Sequence, residues 1–267
     1  MQHIHRLLSL AIVALALVMV STVPSLAQSA NDLQQRFEAR IFTDANGKTQ
    51  PYRLLKPKNY DATKKYPLVL FMHGAGERGT DNQAQLRSSV TFFATDAIMD
   101  KYPCFVIAPQ CPPDKRWVEV NWGDNAHIIP AEPSEPMRLT LLLLDTIQKE
   151  FNIDKQRLYV TGLSMGGFGT WDIIARHPNM FAAAIPVCGG GDEHTAAAIK
   201  KIPIWAFHGD QDNVVKTIRS RHMIEALQQA GGQPKYTEFL GVGHNAWTFA
   251  YCNTDVYTWL FAQHRKK

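Results

Sequence analysis

Five short apolar runs, at residues 67–72, 104–108, 158–161, 182–187 and 204–207, constrain the fold of this chain more than any other feature. They are nearly continuous rather than alternating, the pattern of strands covered on both faces. Helix-length segments lie between them. Residues 136–151 have Pro136 at the start and Leu139, Leu142, Leu143, Ile147 and Phe151 at helical spacing. Residues 215–230 run into Gly231-Gly232, a helix stop, and residues 254–264 supply a last helix. Residues 36–43 and 51–56 read as early strands around the turn signal Asn46-Gly47. Strands alternating with helices predict an α/β fold, a mostly parallel central sheet with helices on both faces. Sites in such sheets lie beyond the carboxyl ends of the strands, so the strand ends are where chemistry is to be sought.

With 45% hydrophobic and 19% charged residues, the 267-residue chain has material for one large core. Neither an internal repeat nor a linker divides it, so 28–267 is expected to be one domain. Residues 1–27 read differently. His3, His5 and Arg6 precede an apolar run at 7–20, and Ser25 and Ala27 place small residues where signal peptidase cuts. The run falls short of the roughly 18 apolar residues that suggest a span. Cleavage after Ala27 is expected, giving a secreted or periplasmic protein without stable membrane insertion. Arg6 is the one charged residue of this leader, so the net charge of +4 falls to +3. With no dense basic patch outside 265–267, nucleic acid is not an expected partner. Cys104, Cys111, Cys188 and Cys252 would sit in an oxidising compartment, where three pairings are open. A role as small apolar core residues competes evenly for Cys104 and Cys188.

Three strand ends carry motifs. Gly162-Leu163-Ser164-Met165-Gly166 follows the run 158–161 and precedes a helical stretch at 167–177. Taken alone, Gly-x-Ser-x-Gly is a weak signal, arising by chance in about one chain in ten of this length. Its place between strand and helix suits a nucleophile elbow, whose glycines leave room where a β-carbon would collide. The helix N-terminus there favours a developing anion. A serine hydroxyl needs a base, and the base an orienting carboxylate. Both follow in chain order: His208-Gly209-Asp210-Gln211-Asp212 after one strand, then Gly241-Val242-Gly243-His244 after a strand at 236–240. Asp212 is the expected acid, because the loop must turn before its carboxylate faces the histidine. Asp210 is expected to hold the loop backbone. His73 and His208 each end a strand and are expected to shape their loops, while His194 is the rival to His244 as base.

The third motif, His73-Gly74-Ala75-Gly76-Glu77-Arg78-Gly79, follows the run 67–72. Its glycines let N–H groups converge, and the amides of Ala75 and Met165 are the expected oxyanion donors, with Gly74 an alternative for the first. Glu77 and Arg78 could touch substrate or pair within the loop. The longest irregular segment, 111–135, contains Trp117 and Trp122. Either these two form an apolar or sugar-stacking substrate wall, or the loop is Pro-stiffened and packed down by its own aromatics. Trp247, just after the base, is a further candidate to wall the site, with core packing the other reading. Residues 189–202 are too few for a large cap domain, which leaves the site open to bulky or polymer-attached substrates.

The elbow extended through Gly167-Phe168-Gly169, together with residues 73–79 and Gly243-His244-Asn245-Ala246-Trp247, resembles the secreted serine carboxylesterases of the α/β-hydrolase fold. The resemblance covers about 40–264 and is strongest toward feruloyl and acetyl-xylan esterase-like and polyhydroxybutyrate-depolymerase-like proteins. Some members of that group are labelled phospholipases or peptidases. It implies Ser164, Asp212 and His244 as nucleophile, acid and base, an ester substrate that is a small molecule or linked to polysaccharide, and no cofactor. A serine peptidase of the prolyl-oligopeptidase type shares the triad and is the main alternative, although its usual large gating domain has no counterpart in these residues. Phospholipase and thioesterase chemistry would need only a different pocket. A non-catalytic binding protein on the same fold would be expected to lack a triad member.

Overall fold

The computed structural model describes residues 29–265, so the leader reading at 1–27 lies outside them. Among these residues eight strands form one sheet: β1 (Phe37–Thr43), β2 (Thr49–Leu55), β3 (Tyr66–Met72), β4 (Phe105–Pro109), β5 (Ile153–Leu163), β6 (Ala183–Val187), β7 (Trp205–Gly209) and β8 (Lys235–Phe239). Their spatial order is β1-β2-β4-β3-β5-β6-β7-β8. The β1–β2 hairpin and the β2–β4 pair are antiparallel, and every pairing from β4 to β8 is parallel. The helices are α1 (Ala30–Gln35), α2 (Asp96–Lys101), α3 (Glu135–Glu150), α4 (Met165–Arg176), α5 (Ala196–Ile199), α6 (Ile218–Gln229), α7 (Ala246–Cys252) and α8 (Thr254–Phe261). Among the described residues no helix is long and apolar enough to cross a membrane.

The apolar runs turn out to hide an alternation. Along β3, Leu68, Leu70 and Met72 enter one core cluster while Val69 and Phe71 enter the other. In β4, Phe105 and Ile107 part from Val106 and Ala108 in the same way. Both sets are apolar because helices cover both faces: α3, α4 and α6 on the first, α2, α7 and α8 on the second. Helix α3 illustrates the local reason. The hydroxyl of Ser134 accepts from the Met137 N–H at 3.3 Å and Pro136 occupies the first turn. Met137, Leu143 and Ile147 are fully buried on its inner stripe. Each such side chain contributes about 1.5–3 kcal/mol. Strand β5 begins earlier than its apolar run, because polar residues 154–157 extend it at the sheet margin. Helices α2 and α7 are too short to leave a periodic signal.

The crossing of β3, β5 and α4 is the tightest point. A β-carbon on Gly166 would overlap the Met72 carbonyl, one on Gly162 would meet the Gly166 carbonyl, and one on Gly167 would meet the Val187 carbonyl. None of these neighbours is a flexible side chain, so the backbone itself would have to move. Gly166→Ala should therefore destabilise the fold by about 3 kcal/mol or leave it unfolded, measured as a lowered urea midpoint against a Ser164→Ala control that stays near wild type.

Candidate active site

Ser164 joins β5 to α4 with φ 53° and ψ −118°, a left-handed backbone for a residue with a side chain. Such strain costs about 1–3 kcal/mol and persists only where the surroundings enforce it. Here its N–H donates to Val187 O at 2.9 Å and its carbonyl accepts from the Phe168 N–H at 3.1 Å. The turn lifts the hydroxyl off the sheet, where Oγ lies 2.8 Å from His244 Nε2. His244 comes from the loop after β8, and its Nδ1–H donates to Asp212 Oδ2 at 2.6 Å. With Nδ1 protonated, Nε2 is free to accept the serine proton.

Asp212 comes from the loop after β7, and its side chain is fully buried. Oδ1 accepts from the N–H groups of Val214 and Val215, each at 2.9 Å. Oδ2, besides His244, lies 3.2 Å from His208 Nε2. Burial by itself would raise the Asp212 pKa. The hydrogen bonds from His208, His244 and the Val215 and Val214 amides outweigh it and hold the carboxyl well below the usual carboxylate range. Asp210 has the other role expected of it: its Oδ1 accepts from the Gly241 N–H at 2.7 Å, tying the acid loop to the loop that carries the base. His194 is not brought to the serine; it pairs with Asp192 at 2.8 Å on an exposed turn.

Residues 73–79 lie beside the elbow through the same tight crossing, since a β-carbon on Gly166 would also meet the His73 carbonyl at 2.8 Å. Ala75 opens a 3₁₀ turn and Met165 opens α4. The first amides of such turns have no partner within them, so both suit a bound oxyanion. His73 anchors this loop. Its Nδ1–H donates to Gly74 O at 2.6 Å, and its Nε2 accepts from the Cys111 N–H at 2.9 Å. Burial pushes its pKa down to about 4, helped by the nearby Arg78 charge and opposed by the Gly74 carbonyl.

The three tryptophans separate. Trp117 is 0% exposed, packs in the core and donates through Nε1 to His73 O at 3.0 Å. The expectation that it contacts substrate is corrected: it is a core residue that props the loop 73–79. Trp122 is half-buried, with the Arg116 guanidinium 4.5 Å from its ring centre. Trp247 is half-buried too and meets the His244 ring edge-on, with centroids 5.2 Å apart. Residues 111–134 are strapped to the body. Arg176 donates to Pro130 O at 2.7 Å, Asp192 accepts from the Ile129 N–H at 2.8 Å, and Arg219 donates to Asp124 O at 3.0 Å. The segment after β6 forms only a short turn and α5, packed beside α4 and α6, and both Ser164 and His244 stay partly exposed.

Two site residues escaped sequence reasoning. Cys188 follows β6 directly at φ 48°, with its sulfur within 4.8 Å of an Asp212 carboxylate oxygen and a His244 ring nitrogen. Burial and the Asp212 charge push its thiol up to about 12. All four thiols are unpaired. His208, expected to shape a loop, faces the catalytic-type carboxylate. Strand-end position was the signal available for both.

A parallel sheet presenting a strained serine, a histidine and a buried aspartate at its carboxyl edge defines the α/β-hydrolase class. Residues 44–238 match the Esterase family, and the chain belongs to it. A solved thermostable esterase is 42% identical, with a TM-score of 0.81 over 87% of this chain and 64% of its own. The bifunctional acetylxylan esterase/xylanase XynS20E of Neocallimastix patriciarum is 28% identical over 122 residues, 43% of this chain and 18% of that protein. Dipeptidyl-peptidase 5 of Porphyromonas endodontalis is 30% identical over 158 residues, 58% of this chain and 21% of that protein. The chain thus spans about a fifth of these two curated relatives.

Two outcomes follow for the side chains placed here. The unfolded chain takes up a proton on His73 near pH 6.5, the folded one not until about 4. Between those values the unfolded state binds more protons, so stability falls as the pH drops, by about 3 kcal/mol in all for this residue. His73→Asn should be less stable at pH 7 but lose less between pH 6.5 and 4, read from urea midpoints across that range. For the two acids, Asp212→Asn should lower kcat by about 10⁴-fold. Asp210→Asn keeps an oxygen for Gly241 and should stay within about tenfold, checked by steady-state kinetics on one ester.

Proposed function

We propose that the protein is an exported serine carboxylic ester hydrolase that works through an acyl-enzyme, with Ser164 as nucleophile, His244 as base and Asp212 as acid. The observation that carries this reading is the unbroken line from Ser164 Oγ to His244 Nε2 at 2.8 Å and from His244 Nδ1 to Asp212 Oδ2 at 2.6 Å. The reaction follows from these groups. Ser164 Oγ bonds to the ester carbonyl carbon while its proton passes to His244 Nε2. Asp212 stabilises the resulting imidazolium without itself taking the proton. The carbonyl oxygen, now negative, is held by the N–H groups of Ala75 and Met165. Collapse breaks the bond to the alcohol, which leaves with the proton from His244. Water then attacks the acyl-serine, giving its proton to His244, and the acid departs as Ser164 regains a proton.

For substrate class, we read acyl esters, feruloyl or acetyl, carried by polysaccharide or other bulky alcohols. The partly exposed serine and histidine suit a substrate too large to be enclosed, and Trp247 and the half-buried Trp122 are the aromatic surfaces proposed to meet it. A peptidase of the prolyl-oligopeptidase type is the second reading, favoured by the 30% identity to a dipeptidyl-peptidase.

Matched aryl esters and aryl amides separate the two. Rapid ester cleavage with little amide cleavage, lost by about 10⁶-fold in Ser164→Ala, is the expected result. Comparable amide turnover would move the assignment to the peptidase, and activity surviving in Ser164→Ala would remove Ser164 as nucleophile.

A further inference from the structure

We infer that His208 is a positioning residue for the reaction, a second imidazole that holds the Asp212 carboxylate in line with His244. The inference rests on the triad proposed above and adds a residue to it. Both the His208 and Asp212 side chains are fully buried. The ring nitrogen Nε2 lies 2.9 Å from Val215 O and 3.2 Å from Asp212 Oδ2. Both neighbours are acceptors, so Nε2 must carry a hydrogen. A bare lone pair there would face a carbonyl and a carboxylate with nothing to offset the repulsion.

The other edge of the ring explains why its orientation is fixed. Nδ1 lies 2.7 Å from Ser220 Oγ on α6, and that hydroxyl lies 3.2 Å from Gly189 O. A rotated ring would lose the Ser220 contact and turn carbon toward Asp212. His208 thus spans the end of β7, the turn at Val215 and the first part of α6, and it orients the carboxylate from the side opposite His244. The His244 Nδ1–H then bonds Oδ2, the His208 Nε2–H is shared between Val215 O and that same oxygen, and two backbone amides hold Oδ1. With the His208 donor removed, Oδ2 keeps only His244, and the carboxylate can pivot about its Oδ1 anchors. The Asp212–His244 line, on which the proton transfer depends, then loosens in the transition state more than in substrate binding.

The test has an arm without any variant. In protein labelled with ¹⁵N-histidine, a long-range ¹H–¹⁵N spectrum should show His208 protonated at Nε2, its signal assigned by its disappearance in His208→Gln. A ring protonated at Nδ1 alone would overturn the inference. In kinetics, His208→Leu should lower kcat by about 10–100-fold, the scale on which outer hydrogen-bond partners of metal-held imidazoles count, with KM changed by less than about threefold. His208→Gln keeps an N–H donor at the same reach and should recover most of that loss. Equal loss in both variants, or an unchanged kcat in His208→Leu, would overturn it. Should His208→Leu fail to fold, Ser220→Ala frees the ring from its Nδ1 partner and should lower kcat, not raise KM; an unchanged kcat there counts against the inference. A wild-type protein inert toward every ester would instead sink the esterase reading and leave the spectrum standing.

Discussion

The contact between the Gly166 backbone and the Met72 and His73 carbonyls is the constraint on which the rest of the site depends. It brings the start of α4 against the end of β3 with no side chain between them. Two consequences follow at once. The chain between β5 and α4 must turn within one residue, which forces Ser164 to φ 53° and its hydroxyl out of the sheet. The residues that follow Met72 are held beside the first turn of α4. Ser164 and the loop 73–79 are therefore positioned by one close approach, and the strain at Ser164 is balanced by dense packing beneath it, where Met165 and Phe168 are buried.

The second organising interaction is electrostatic. An ionised carboxylate with no solvent access is tolerated only when every oxygen is paired. Asp212 meets that demand with two backbone amides and two imidazoles. The same need explains the loop around it. The Asp210 carboxylate binds the Gly241 amide, and the Gln211 N–H donates to Val242 O at 3.0 Å. A β-carbon on Gly209 would collide with the Val242 and Gly243 carbonyls. The loops after β7 and β8 are thus laced together, and His244 is brought to Ser164 by a backbone that the surroundings of Asp212 hold.

The residues differ in how much of this could be read in advance. The parallel sheet was legible because strands buried on both faces need apolar residues at every position, and that need leaves continuous runs. Ser164, Asp212 and His244 were legible as a group because each lies just beyond a strand, in the chain order this fold uses, with glycines where backbones meet. The tryptophans were not. Trp117 and Trp122 stand five residues apart in one irregular segment, and no periodicity tells an inward ring from an outward one. Only the pairing of Trp117 Nε1 with His73 O decides that the first is core. His73 and His208 likewise look alike in sequence, each at a strand end before glycine. One ring bonds backbone alone, while the other reaches the buried carboxylate.

What the sequence by itself determined is therefore what local geometry dictates: the strand and helix periods, the glycines of the elbow, and the order of serine, aspartate and histidine. Patterns of this kind are written in neighbouring residues, because backbone sterics and burial act over a few positions at a time. Only the tertiary structure decided which imidazole meets which oxygen, which indole is core, and that Cys188 stands against the triad. Those outcomes depend on how loops from separate strands pack together. Ser164 and His244 are 80 residues apart and meet at 2.8 Å, and no local preference at either position encodes that distance.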